Sequence, residues 1–246
     1  MEVINAEWEI RNTGLKTCEL EFGLEDTIDD YLEKNIEKNY EYIVAKVSAD
    51  NIILIHKLED IGFRFIETQF VILVETHELE KIDHKWDRVL ERTNCKKIRN
   101  RTDLKFIQNN IEEGMFKNDR ISMDERLSKK ISSMRYANWI NDLYENDNTE
   151  IFLLEKNNSK AGFFVLKKDC KNAHHSVIAG IFKKHQGRGL SFALIYYYLK
   201  IAADKHVRCV YTSFSSNNIK MLNTFTKTVS FKTIKIHYVL RKIIER

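Results

Sequence analysis

One joint constrains this chain more than any other feature: an apolar strand runs into an amphipathic helix through its only Gly-x-Gly. The stretch is His174-His175-Ser-Val-Ile-Ala-Gly-Ile-Phe-Lys-Lys-His-Gln186-Gly187-Arg188-Gly189-Leu190-Ser191-Phe-Ala-Leu-Ile-Tyr-Tyr-Tyr-Leu199. Val177 to Phe182 is a short apolar run suited to a buried strand, and Leu190, Ala193, Leu194, Tyr197 and Tyr198 recur at helical spacing. Gly187 and Gly189 allow backbone conformations closed to other residues, and the helix that follows presents unpaired N–H groups and a positive dipole end. That combination holds an anion, with Arg188 adding charge. A Rossmann dinucleotide loop needs a third glycine three residues after the second, where Phe192 stands, and a Walker loop needs a Gly-Lys-Ser/Thr that is missing. A strand-to-helix turn with no ligand is the remaining alternative.

The bulk properties narrow the classes. At 246 residues the chain can bury a substantial core in one large domain or two small ones. Apolar residues at 43% and charged residues at 31% are too apolar for disorder, and no unbroken apolar run is long enough to span a membrane. The acidic start, Met-Glu-Val-Ile-Asn-Ala-Glu, has no apolar core of the secretory kind, so a cytoplasmic location is expected. A net charge of +4 from 40 basic and 36 acidic side chains gives no signal for nucleic acid but tolerates anionic small substrates. Lys96-Lys97-Ile-Arg99-Asn-Arg101, the densest basic run, reads as a solvated connector. Cys18, Cys95, Cys170 and Cys209 are scattered without a Cys-x-x-Cys pair, which predicts reduced, mostly buried thiols and no metal site.

Along the chain, Ala6 to Phe22 reads as a hairpin turning at Asn12-Thr13-Gly14, and Asp26 to Asn39 as an amphipathic helix. Tyr42 to Val47 is a strand, Asp50 starts a helix over Ile52 to Ile61, and Phe63 to Val74 is a strand broken near Glu67. That unit recurs. Asn51 to Phe63 and then Phe70 to Leu73 parallel Asn218 to Phe225, Ser230-Phe231 and Tyr238 to Leu240. Each has a strand, an Asn-started helix, a Gly/Ser-Phe turn and an aromatic seven positions beyond the Phe, which points to a duplicated architecture whose first copy lacks the glycine loop. Residues 77–97 are highly charged and read as a linker between a first domain over 1–76 and a second over 98–246. In the second, Ile98 to Ile111 is a strand and helix, and Ser122 caps a helix reaching Leu143 on which Tyr136, Trp139 and Ile140 share a face. A hairpin over Ile151 to Leu166 closes at Asn157-Asn158-Ser159, and strands follow at Val177 to Phe182 and Val207 to Phe214. The order strand, helices, three strands, helix, strand, helix, strand makes an α/β (α+β) fold on a mixed sheet.

At Gln186-Gly-Arg-Gly-Leu-Ser191 the chain resembles the pyrophosphate-binding motif of the GNAT superfamily of acyl-CoA-dependent N-acyltransferases, with Ser191 in place of the last small residue. Ala45 to Asp50 through Ile61-Gly-Phe-Arg64, Arg135-Tyr136-x-x-Trp139-Ile140 and Ser216-Asn-Asn218-x-x-x-Leu222-Asn223 resemble, more narrowly, the dTDP-fucosamine acetyltransferases. The resemblance implies a GNAT domain behind a truncated GNAT-like one. It also implies acetyl transfer from acetyl-CoA to a primary amine of a small metabolite such as an amino-sugar nucleotide, with a possible homodimer and no metal, membrane or nucleic-acid partner. A longer acyl-CoA, a carrier-protein thioester or a CoA-binding protein without turnover is the alternative. The implied cofactor residues are Gly180, Ile181 and Phe182, whose freed N–H groups meet the pantetheine arm and the carbonyl oxygen, then Gln186, Gly187, Arg188, Gly189, Leu190, Ser191 and Asn218. The family's general acid, a tyrosine seven residues after the asparagine, is Phe225 here, and Ser230-Phe231 replaces the usual Gly-Phe one residue late. Tyr211, His174, His175 and Tyr238 are the candidate substitutes. A thiol leaving group with a pKa near ~8.5 needs protonation less than an alkoxide does, so catalysis can survive the change.

Overall fold

The computed structural model describes residues 1–112, 114–170 and 172–245. Among these residues ten strands form a single mixed sheet: β1 (Glu2–Asn5), β2 (Thr17–Phe22), β3 (Tyr42–Ser48), β4 (Arg64–Glu75), β5 (Thr93–Lys97), β6 (Thr149–Lys156), β7 (Ser159–Cys170), β8 (Ala173–Ile181), β9 (Cys209–Ser215) and β10 (Lys232–Ile243). The helices are α1 (Glu7–Thr13), α2 (Ile28–Glu33), α3 (Ile52–Asp60), α4 (Asp87–Leu90), α5 (Arg101–Asn109), α6 (Arg120–Met123), α7 (Lys129–Tyr144), α8 (Leu190–Asp204) and α9 (Ile219–Thr228). Among the described residues no helix is long and apolar enough to cross a membrane.

The strand order, β1-β2-β3-β10-β4-β9-β8-β7-β6-β5, interleaves the two halves of the sequence. β10 lies between β3 and β4, and β4 lies between β10 and β9, all antiparallel. The cores follow the strands. Ile72 and Val74 of β4 pack with Leu194, Leu199 and Phe225 of the second half, whereas Leu240 of β10 packs with Leu20, Leu54 and Phe63 of the first. Each half therefore has a strand of the other in its core, and removing either strand exposes apolar surface in both.

The repeat read from the sequence is visible in this pairing. The offset that carries Phe63 to Phe231 and Phe70 to Tyr238 (231 − 63 and 238 − 70, both 168) also carries Gln69 to His237. Gln69 and His237 are register partners, and the flanking pairs, Phe70 with Ile236 and Thr68 with Tyr238, exchange under the same offset. Gln69 also faces Ser215 and His237 faces Ser48. The helix starts repeat as well: Asn51 (φ −98°, ψ 62°) and Asn218 (φ −88°, ψ 60°) each accept a bond from the N–H three residues on. An approximate two-fold axis thus passes between β4 and β10.

Several local expectations are corrected. Trp8-Glu-Ile10 is helical, in α1, and Gly14 (φ +76°) ends that helix in the left-handed conformation instead of turning a hairpin. Apolar residues separated by one glutamate fit a strand, but seven residues ending in glycine fit two turns of helix equally well. The start of α3 is Asn51, not Asp50. Ser122 caps nothing; it lies inside α6, which Asp119 caps, and Ser128 precedes the separate α7. The strand expected at Ile98 lies earlier, at β5, so Lys96 and Lys97 belong to an edge strand, where Lys97 pairs with Glu150 at 2.8 Å. Of the four thiols only Cys18 is buried; Cys95 and Cys209 are half-buried and Cys170 is exposed. The expected break near Glu67 is a bulge: β10 pairs with Glu67 and Phe65 and skips Ile66 between them. The β6–β7 hairpin turns at Asn157 and Asn158, both at positive φ, the conformation a two-residue hairpin loop requires.

Candidate active site

The site begins where two parallel strands separate. β8 pairs with β9 only at Ala173–Cys209, His174–Val210 and His175–Tyr211, after which one side-chain bond, Thr212 Oγ1 to the Ser176 carbonyl at 2.8 Å, is the last link. Beyond it β8 remains paired with β7 as far as Ile181, so its other edge, over residues 176–181, has no strand beside it among the described residues. An extended chain of amides can pair there. The divergence opens into a cleft of about 970 Å³.

At the end of β8 the backbone turns through Lys183–His185, and Gln186 Nε2 donates to the Ile181 carbonyl at 3.1 Å, which closes the loop. Gly187 (φ +74°) and Gly189 (φ +73°) both lie in the left-handed region, and Gly189 is the N-cap of α8 without any side chain to satisfy the helix's first N–H groups. Those donors and the helix dipole face outward at an exposed loop, the arrangement that takes a phosphate. Leu190, Phe192, Ala193, Leu194 and Ile195 bury the other side of the helix start and fix its aim. Trp86 closes the cradle from the side: its ring stacks on Phe192 at 4.3 Å and 12°, and it lies 3.9 Å from where a Gly189 Cβ would stand. Its indole Nε1 is buried without a partner among the described residues. An unpaired buried donor, a positive-φ glycine pair and an open helix start fit a phosphorylated, amide-bearing ligand.

Most of the residues singled out in the sequence meet here. Gly180, Ile181, Gln186, Gly187, Gly189, Leu190, Ser191 and Asn218 line the cleft, while Phe182 is buried against Phe106 and Phe163 beneath it and Arg188 is exposed at its rim. Asn218 acts as the helix cap of α9, its side chain accepting from Met221 N at 3.2 Å. Phe225 reaches the cleft as part of the core: it is fully buried, stacks on Phe214 at 5.8 Å and meets Phe231 edge-on at 6.0 Å.

The proposed substitutes for a tyrosine at 225 lie elsewhere, with one exception. His174 is buried beyond the cleft, Tyr238 packs on Phe65 in the first-half core, and Tyr211 is stacked on His175 at 4.5 Å with the Asp169 carboxylate near its hydroxyl. Burial, and then that carboxylate, push the Tyr211 phenol up to about 12. His175 does line the cleft, and burial lowers its pKa to about 4, so it is neutral at physiological pH. A hydroxyl not singled out in the sequence is better placed. Tyr198 of α8 lines the cleft, is 2% exposed and has no bonding partner for its oxygen among the described residues; burial raises its pKa well above the ordinary phenol value and keeps its proton on. It reads from sequence as one more apolar-face residue, because its spacing from Leu190 and Leu194 is that of a core stripe.

The cleft continues over the first half. Its far end is a chamber floored by Glu19 of β2, Lys46 of β3 and Glu67 of β4 and walled by Trp8 of α1 and Tyr136 and Trp139 of α7. Arg120 reaches Glu19 and, at 3.3 Å, Glu9; Arg135 Nε donates to Glu9 at 2.6 Å; Lys46 lies 2.9 Å from Glu19. Burial alone would raise the Glu19 carboxyl, but Arg120 and Lys46 outweigh it and hold the group far below the usual carboxylate range. Phe116 stacks on Tyr136 at 3.9 Å.

Comparison with known proteins agrees with this geometry. Residues 118–231 match the family model described as "Acetyltransferase (GNAT) family". No curated protein matches the chain. A GCN5-related N-acetyltransferase from Sphaerobacter thermophilus superimposes with a TM-score of 0.65 at 11% identity, over 100% of this chain and 76% of that one. A conserved protein of unknown function from Staphylococcus epidermidis gives 0.62 at 12% identity, over 93% and 84% of the two chains. A tandem GNAT protein from the clavulanic acid biosynthesis pathway gives 0.60 at 11%, over 92% and 75%. The chain has the tandem GNAT fold, and over residues 118–231 it matches the acetyltransferase (GNAT) family.

Proposed function

We propose that this protein is an N-acyltransferase that moves an acetyl group from acetyl-CoA to the primary amine of a small metabolite, with amino-sugar nucleotides the first acceptors to try. The observation that carries the proposal is the separation of β8 from β9 directly above the Gly187–Gly189 cradle and the open start of α8. The N–H groups from Gly187 to Ser191 and the α8 dipole hold the diphosphate. The unpaired edge of β8 over residues 176–181 bonds the pantetheine amides and orients the thioester carbonyl. Bound there, the thioester supplies an activated acyl carbon. Trp86 and Phe192 exclude water from one side, and the Tyr198 hydroxyl supplies a proton to the departing sulfur in place of the tyrosine that Phe225 displaces. In this scheme residues 98–246 form the acyltransferase unit, 1–76 a degenerate GNAT-like unit and 77–97 the connection.

Calorimetric titration of acetyl-CoA into the wild type and Gly189→Trp, with a thiol-release assay over amino-sugar nucleotides and simple amines, tests this. Binding should be lost in the variant, because the indole fills the cradle at a backbone φ that only glycine adopts freely. Thiol release with an amine establishes the reaction. Binding without release directs the search to longer acyl groups, carrier-protein thioesters or a binding protein without turnover; no binding by the wild type overturns the proposal.

A further inference from the structure

We infer that the acceptor amine enters the chamber over the first half and gives up its proton to Glu67, a carboxylate supplied by strand β4. The inference deepens the acyltransferase reading and rests on it.

Glu67 is 5% exposed and lines the cleft, yet its Oε2 has no bonding partner among the described residues, which otherwise pair the acidic groups of this chamber. Its neighbour Ile66 is the bulged residue skipped in the β4–β10 ladder, and such a bulge re-aims the adjacent side chains. A buried carboxylate oxygen left unbonded is costly and persists where a ligand completes it. The groups facing it are Ser215 from β9, Arg120 and its helix cap Asp119, Lys46 from β3 and Tyr136 from α7; from β10 it faces Val239. Glu9 and Glu19 already engage Arg120, and Glu19 also engages Lys46, so neither cation is left to neutralise Glu67 fully. Burial, outweighing those contacts, raises the Glu67 carboxyl above its usual value and makes it a stronger base than an exposed glutamate.

The location is the second argument. β4 lies next to β9, and Gln69, two residues from Glu67, is the register partner of Ser215 at the end of β9. That end borders the gap where the thioester lies in the proposed complex. An ammonium ion entering from the chamber transfers one proton to Glu67. The freed nitrogen lone pair forms a C–N bond to the thioester carbon, the C–S bond breaks as Tyr198 gives its proton to the sulfur, and the second proton of the nitrogen restores the Tyr198 hydroxyl. Glu67 then returns its proton to water, so that ammonium and thioester yield amide, thiol and one proton. The first half in this account carries half of the chemistry, although it has no glycine cradle.

The test uses the full chain, acetyl-CoA and propylamine as a minimal acceptor. Glu67→Gln should bind acetyl-CoA as the wild type does and lose ~10²–10⁴-fold in kcat/KM. It should also lose the acidic limb of the pH profile, retaining only the dependence set by the amine's own ionisation; Glu67→Asp should keep a limb at reduced rate. Independently of turnover, dicyclohexylcarbodiimide should label Glu67, read by peptide mass spectrometry, and propylammonium but not propanol should slow the labelling. A Glu67→Gln protein with wild-type rate and limb overturns the inference. So does labelling that propylammonium leaves unchanged, should the wild type fail to acetylate propylamine. Failure of the wild type to bind acetyl-CoA is a different result and strikes the acyltransferase reading instead.

Discussion

Replacing Asp124 by asparagine should destabilise the protein by about 3–5 kcal/mol, the cost of leaving one buried charge without its partner. Asp124 is 2% exposed and ends α6; its carboxylate takes Arg241 in a two-pronged contact, from Nε at 2.7 Å and Nη2 at 2.9 Å, together with the Tyr42 hydroxyl at 3.0 Å and the Arg126 N–H at 3.0 Å. Arg241 is itself only 8% exposed, on β10, so the pair ties the helical cover of the chamber to the interleaved strand. The asparagine keeps the shape and one acceptor oxygen but leaves the guanidinium uncompensated. With urea m-values of about 1–3 kcal/mol/M for small proteins, the midpoint should fall by at least about 1 M. Arg241→Met should cost a similar amount, and the double variant should recover most of the loss, giving a coupling energy of about 2 kcal/mol or more. The pH dependence has a definite sign. Burial pulls the Asp124 pKa upward, but the bonds from Arg241 and its neighbours prevail and leave it below the ordinary value. The contribution is therefore complete above the unfolded value of ~3.9 and lost as pH falls through the lower folded value, so the gap between wild type and Asp124→Asn should close in that acidic window. A coupling energy under about 0.5 kcal/mol at neutral pH, typical of an exposed pair, would refute the reasoning.

Three further outcomes are expected. Phe225→Tyr, which restores the tyrosine of the resembled family, should not rescue anything: the added hydroxyl enters a fully buried aromatic cluster and costs about 1–3 kcal/mol in thermal or urea unfolding, and a tenfold gain in thiol release would contradict this. Tyr198→Phe removes a buried oxygen that has no partner, so stability should be unchanged or improved by about 1 kcal/mol while acyl transfer falls at least ~10-fold; equal activity would eliminate Tyr198 as the proton source. His175 is held neutral down to about pH 4 by burial, whereas the unfolded chain takes its proton near ~6.5, so this residue makes stability decline as pH falls through that interval, by up to about 3 kcal/mol; His175→Phe should flatten the slope in urea titrations between those values.

What was legible in the sequence is what local pattern controls. The β8–loop–α8 joint is readable because glycines at positive φ and a helical stripe are local signals, and so is the Asn157-Asn158 turn. The repeat could be found because both copies keep the asparagine cap and the Gly/Ser-Phe turn. The interleaving could not. Alternation along β10 says which residues face a core and nothing of which strand lies alongside, so Tyr238 and Leu240 give no sign that their core belongs to the other half. Trp86 was hidden in a charged stretch that resembles a linker, although one tryptophan among acidic and basic residues was a signal that something there is covered. Glu67 left a trace as a charge interrupting an apolar strand. It reads as a break because only the three-dimensional cleft distinguishes a carboxylate facing solvent from one facing a substrate chamber.

The exchange of β4 and β10 has a consequence for synthesis. β3 needs a neighbour that is translated almost 190 residues later, since Tyr42 pairs with Ile243 (243 − 42 is 201) and Ser48 with His237 (237 − 48 is 189). Domains ordinarily fold in turn as they leave the ribosome, at roughly 5–20 residues per second. Here the first half waits, its β3 edge unpaired, for at least about ten seconds at those speeds. During that interval Val44 and Val47 sit on an open strand edge, the kind that recruits another chain. Nascent chains stalled before residue 232 should therefore engage chaperones or stick to one another, and should be released when β10 arrives.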